Sequence, residues 1–77
     1  MAQINVVTTG EEQEAVLQAI KDLDGVVAPV SKIATMSGLK ASRARYAIID
    51  LIDAGKIEKV PHRAFNKHYV RYSYNVL

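Results

Sequence analysis

At 77 residues the chain has room for one small core and none for a deep substrate cleft between layers, a size that favours a binding module over an enzyme. Apolar residues make up 49 %, no apolar run approaches the roughly 20 residues that span a bilayer, and neither a basic-then-apolar leader nor a cysteine is present, so a cytoplasmic protein without disulfides is expected. Net charge is only +2, yet residues 1–38 set Lys21 and Lys32 against five carboxylates, a net of −3, whereas residues 39–77 set eight Lys and Arg against three, a net of +5. A field polarised in this way draws polyanions to one side of the molecule; the plain alternative is a solvated basic face.

"MAQINVV" has no helical period, and residues 1–10 are expected as a flexible lead-in to a domain spanning 11–77. Thr9 followed three residues later by Glu12 reads as a capping box, and Glu11, Glu12 and Glu14 suit the positive end of a helix dipole, so a first helix is predicted from about Glu11. Val16, Leu17, Ile20 and Leu23 give it one apolar stripe, and Gly25 ends it. "VVAPV" is a β-branched run that Pro29 confines to a short strand with brief pairing. Ser31 is predicted to cap a second helix, "SKIATMSG", after which Gly38 supplies a left-handed turn and Leu39 returns to the core.

A third helix is predicted over about 41–54, stopped by Gly55. Ala44, Ala47, Ile48, Leu51 and Ile52 fall on one side; Ser42, Tyr46, Ile49 and Asp53 point the other way, with Arg43 and Arg45 flanking them. The strands "KIEKVP" and "HYVRYSYNV" follow, the second alternating Val70, Tyr72, Tyr74 and Val76 with Arg71, Ser73 and Asn75. Between them "HRAFNK" is a polar loop opened by Pro61, giving a hairpin with a basic tip.

The α+β order of helix, short strand, helix, sharp turn, helix and C-terminal two-stranded β-hairpin is that of a winged helix-turn-helix. "VSKIATMSGLKASRARYAIIDLIDAGKIEKV" resembles the core of bacterial winged-helix transcription regulators of the MarR-like and GntR-like kind, through Ile33 and Ala34, Gly38-Leu39, Ser42 and Ala44, Leu51, and Gly55-x-Ile57. The likeness covers about residues 11–76 and is more specific for fold than for function. It implies a small bacterial or phage transcription regulator that inserts helix 3 in the major groove of double-stranded DNA, with the wing, 57–76, on the backbone or over the minor groove.

Carried onto this sequence, the resemblance makes Arg43, Arg45 and Tyr46 the groove contacts, with Lys40 and Ser42 at the adjacent backbone and Ile49 at a thymine methyl. Solvated arginines, a tyrosine packed over a neighbouring surface and a stray exposed isoleucine are the ordinary alternatives. In the wing, Lys59, Arg63, Asn66, Lys67 and Arg71 are the candidate contacts, and Phe65 is expected to fold back on the hairpin. His62 and His68 have no cysteine or carboxylate cluster beside them, so no metal or other cofactor is expected. No nucleophile set or glycine-rich phosphate loop suggests catalysis.

MarR-like regulators dimerise through helices outside the winged core, and no counterpart to these helices is expected in residues 1–77. Pairing through the N-terminal segment or helix 1, tandem binding or a partner protein would have to supply longer-site specificity. A protein-interaction adaptor using Ile49, Phe65 and the acidic helix 1 is the alternative in another class. A third reading, recognition of single strands, would use Tyr46 and Phe65 as stacking platforms.

Overall fold

The computed structural model describes residues 8–63 and 70–77, and is a small α+β domain of three helices and a two-stranded antiparallel hairpin. Helix α1 spans Gly10–Leu23, α2 Val30–Ser37 and α3 Ala41–Asp53; strands β1 and β2 span Ile57–Arg63 and Val70–Val76. None of the helices described is long and apolar enough to cross a membrane.

The capping box forms as the sequence suggests: Thr9 Oγ1 accepts the Glu12 N–H at 3.1 Å, and Glu12 Oε1 accepts the Thr9 N–H at 2.9 Å. Thr8 and Thr9 thus belong to the folded body, not to a free lead-in, and Thr8 is only 3 % exposed. At the other end Asp24 and Gly25 both take positive φ (49° and 82°), so the reversal begins one residue before the expected glycine.

Two expectations for the next segment are corrected. The short strand at 26–30 shrinks to one backbone bond, from Ala28 N–H to the Tyr72 carbonyl at 3.2 Å, because Pro29 follows without an N–H and α2 starts at once at Val30. Ser31 lies inside α2; the capping position is Pro29, which makes no side-chain cap bond. Helices α2 and α3 end alike. Leu39 N–H reaches Ala34 O at 2.9 Å past left-handed Gly38, and Lys56 N–H reaches Leu51 O at 2.9 Å past left-handed Gly55.

One core joins Val16, Ala19, Ile20 and Leu23 of α1, Ile33 and Ala34 of α2, and Ala44, Ala47, Ile48 and Leu51 of α3, closed by Ala28, Ile57 and Tyr74. Leu39 and Ile52 pack on its margin, Leu39 as expected after the turn at Gly38 and Ile52 as its helical period suggests. Ala34, Ala44 and Ala47 are small enough for the helices to cross closely.

β1 runs through Pro61 to Arg63, further than the loop expected from that proline. The register explains why. Leu77 N–H bonds the Lys56 carbonyl, and Tyr72 gives its carbonyl outward to Ala28, so 56↔77, 58↔75, 60↔73 and 62↔71 are the hydrogen-bonded pairs. Pro61, opposite Tyr72, falls on a non-hydrogen-bonded pair and turns its nitrogen to the free edge of β1, where no ladder donor is lost.

The alternation expected for β2 holds only in its middle. Tyr74 is buried and Tyr72 partly so, but Val70 and Val76 overhang the core and stay exposed. Ser73, expected on the polar face, is 2 % exposed, with His62 Nε2 lying 2.7 Å from its hydroxyl.

Candidate nucleic-acid interface

Helix α3 presents the expected outer face. Ser42, Arg45, Tyr46, Ile49 and Asp53 are all exposed, Ile49 to 46 %, while Ala44, Ala47, Ile48 and Leu51 on the opposite side are buried. The 3.6-residue period alone dictates this division. Lys40 stands at the capping position of α3 with its side chain making no cap bond, and it is exposed with Ala41 and Ser42. No carboxylate occurs in that first turn, so the backbone N–H groups there and Lys40 present positive charge together.

Arg43 departs from the picture of a free groove contact. It is half-buried, and its guanidinium donates from Nε to Glu12 Oε2 at 2.8 Å and from Nη2 to Glu12 Oε1 at 2.5 Å. This is the one ion pair formed among the described residues. Hydrogen bonds from Arg43, then from the Thr9 backbone, hold the Glu12 carboxyl down at about 2, below its ordinary 4.5. The same pair raises the guanidinium pKa, so both partners stay charged at any ordinary pH. Arg45, in contrast, meets no carboxylate among the described residues.

Seven residues on, and so on the same flank as Arg43, Asp50 is also engaged: its Oδ2 accepts the Thr8 N–H at 3.1 Å and the Thr8 hydroxyl at 2.6 Å. Gln13 Nε2 adds a bond to the Thr8 hydroxyl at 3.1 Å. Sequence reasoning left Asp50, Thr8 and Glu12 out of the site. The heptad spacing of Arg43 and Asp50 was a signal that one neighbour could hold both.

Among the described residues, the hairpin divides its cations between two faces. Cross-strand pairing puts Lys59, Arg63, Tyr72 and Tyr74 on one face and His62, Arg71, Ser73 and Asn75 on the other. Lys59 is partly committed, its Nζ standing 4.0 Å from the centre of the Tyr72 ring, a cation–π contact. Arg63 and Arg71 are exposed, and Arg71 also borders a groove of about 470 Å³ lined by Val27, Ala28, Pro29, Val30, Val70, Tyr72 and Tyr74. Asn66 and Lys67, with Phe65 and His68, lie outside the described residues.

The geometry therefore brings Ser42, Arg45, Tyr46 and Ile49 together on one exposed helical face, leaves Lys40 exposed at the start of the helix, sets Arg43 apart, and holds Arg63 and Arg71 on opposite sides of the hairpin. No protein-family model matches the chain, and no curated protein or solved structure matches it either.

Proposed function

We propose that the chain is a winged helix-turn-helix domain that reads double-stranded DNA, acting as a small transcription regulator with α3 in the major groove and the hairpin as its wing. The observation that carries the reading is the outer face of α3, where Arg45, Tyr46, Ser42 and Ile49 are exposed after a short helix and a left-handed glycine turn. A soluble fold has no need of an arginine, a tyrosine and an isoleucine on the solvent side of one helix. A major groove has a use for each: a planar fork for guanine, a hydroxyl for a base edge or phosphate, and an apolar contact for a thymine methyl.

Arg45 is the base reader in this scheme, Lys40 and Ser42 meet the phosphates beside the groove, and Arg63 or Arg71 meets the backbone from the wing. Because the wing cations occupy two sheet faces, the hairpin meets the duplex with one face or with its edge, and Arg63 and Arg71 do not serve equally.

The test is affinity for random duplex, single-stranded DNA and RNA across a salt series. Duplex preference with a steep fall of log affinity against log salt is expected, and Arg63→Ala or Arg71→Ala, whichever contacts phosphate, lowers that slope by about one. Equal, weak binding to all three sinks the proposal. The adaptor reading then replaces it if Ile49→Asp abolishes capture of a defined protein partner while Arg45→Ala does not.

A further inference from the structure

We infer that Arg43 is a positioning residue, which with Asp50 fixes the rotation of α3 about its own axis so that Arg45 faces the groove; the inference rests on the DNA reading above. Two attachments run from one flank of α3 to residues 8–12: Arg43 to Glu12 through two parallel hydrogen bonds, and Asp50 to the backbone and hydroxyl of Thr8. They stand seven residues apart, about 10 Å along the helix. Each attachment lies off the helix axis and so opposes rolling, and their separation along the helix opposes swivelling as well.

The buried side of α3 explains why such fastening is needed. In its first half it offers the core Ala44 and Ala47, single methyl groups that let helices approach closely and interdigitate little. Ile48 and Leu51 hold the second half of α3 with branched side chains, so the first turns, where Arg45 sits, depend most on the Arg43 attachment for their orientation, and a modest roll there swings an arginine on the far side out of register with base edges. Arg45 lies about 160° round the helix from Arg43. Glu12 suits its role because it is held from behind: the carboxylate that takes Arg43 also accepts the Thr9 N–H at 2.9 Å, so the anchor does not swing with its load.

Removing a fastening and removing a phosphate contact give different signatures. The 77-residue chain and its variants Glu12→Gln, Arg43→Met, Arg43→Lys and the double Glu12→Gln/Arg43→Met are compared well below their melting temperatures. Each is titrated against a duplex selected from a random pool and against the pool itself, over a salt series. Glutamine at position 12 still accepts from Thr9, so the cap survives while the ion pair is lost, and the double variant keeps the parent net charge of +2.

The expected result is that Glu12→Gln, Arg43→Met and the double all lose the selected-over-random affinity ratio by one common factor, on the order of tenfold. Their salt slopes on the pool stay at the parent value, and Arg43→Lys, which cannot form the two-point fork, gives no rescue. A slope lowered by about one in Arg43→Met and the double, restored by Arg43→Lys, overturns the inference in favour of a direct phosphate contact. Ratios unchanged in every variant overturn it in favour of a contact that serves stability alone. A parent chain with no salt-dependent duplex binding removes the DNA reading itself, and that outcome is visible before any variant is compared.

Discussion

Two flanks of α3 carry an arginine each and treat it in opposite ways. On one, Arg43 and Asp50 each find a partner in the first residues of the domain; on the other, Arg45 and Tyr46 face solvent with Ser42 and Ile49. The chain thus spends one arginine on itself and leaves its near neighbour free. Residue type does not separate a paired charge from a free one; the flank it occupies and what crosses that flank do.

The widest gap between the two flanks should appear when a core side chain is compared with its exposed neighbour. Leu51→Ala, at a position 1 % exposed, is expected to cost about 2–5 kcal/mol in urea or thermal unfolding. Ile49→Ala, two residues earlier and turned outward, should stay within about 0.5 kcal/mol. Comparable losses would mean that Ile49 packs on something in solution.

Next comes the attachment at Asp50. Asp50→Ala strands the N–H and hydroxyl of nearly buried Thr8 and should cost about 1–3 kcal/mol, whereas Asp50→Asn keeps an acceptor and should lose less. If alanine and asparagine are equally damaging, the acceptor is not what matters there. On the free flank Arg45→Ala should leave the unfolding curve unmoved and weaken a selected duplex by about 1–3 kcal/mol, read as a shift in Kd. A shift in melting with no shift in Kd would invert the assignment of the two flanks.

The smallest effect is the pH response of the Glu12–Arg43 pair. The Glu12 carboxyl titrates lower in the folded chain, at about 2 against 4.5, so the stabilisation it gives is complete above about pH 5 and is lost as pH falls toward 2. The melting-temperature difference between the parent and Glu12→Gln should therefore be constant from pH 7 to pH 5 and shrink below that. A difference that shrinks already between pH 7 and pH 6 would show that another group is responsible.

Much of the fold could be read locally. The Thr9–Glu12 box, the stripe of α1, the glycine turns at Gly38 and Gly55 and the two strands each depend on residues a few positions apart, and each formed. What escaped depends on elements meeting. Glu12 already had a role as a capping residue, and nothing local says that both its oxygens also face an arginine 31 positions on. Ser31 looked like a cap until Pro29, set extended just before α2, took the position. Pro61 looked like a loop opener because its tolerance in β1 depends on which edge its nitrogen faces, a matter of register.

For the site, the exposed half of α3 followed from helical period alone. The withdrawal of Arg43, the cation–π contact of Lys59 and the split of Arg63 and Arg71 between two faces required the tertiary arrangement.

That placement of Pro61 also bears on how the molecule behaves in a crowd. The outward row on β1 runs through Ile57, Lys59, Pro61 and Arg63, and position 61 has no hydrogen to give. A strand from another molecule docking along this border would meet a missing bond in mid-row and two cations beside it, the devices by which open sheet borders discourage aggregation. The border of β2 already gives the Tyr72 carbonyl to Ala28. The border of β1 can therefore stay open without becoming a template for fibrils, and replacing one proline with valine would put that protection at risk while leaving the fold intact.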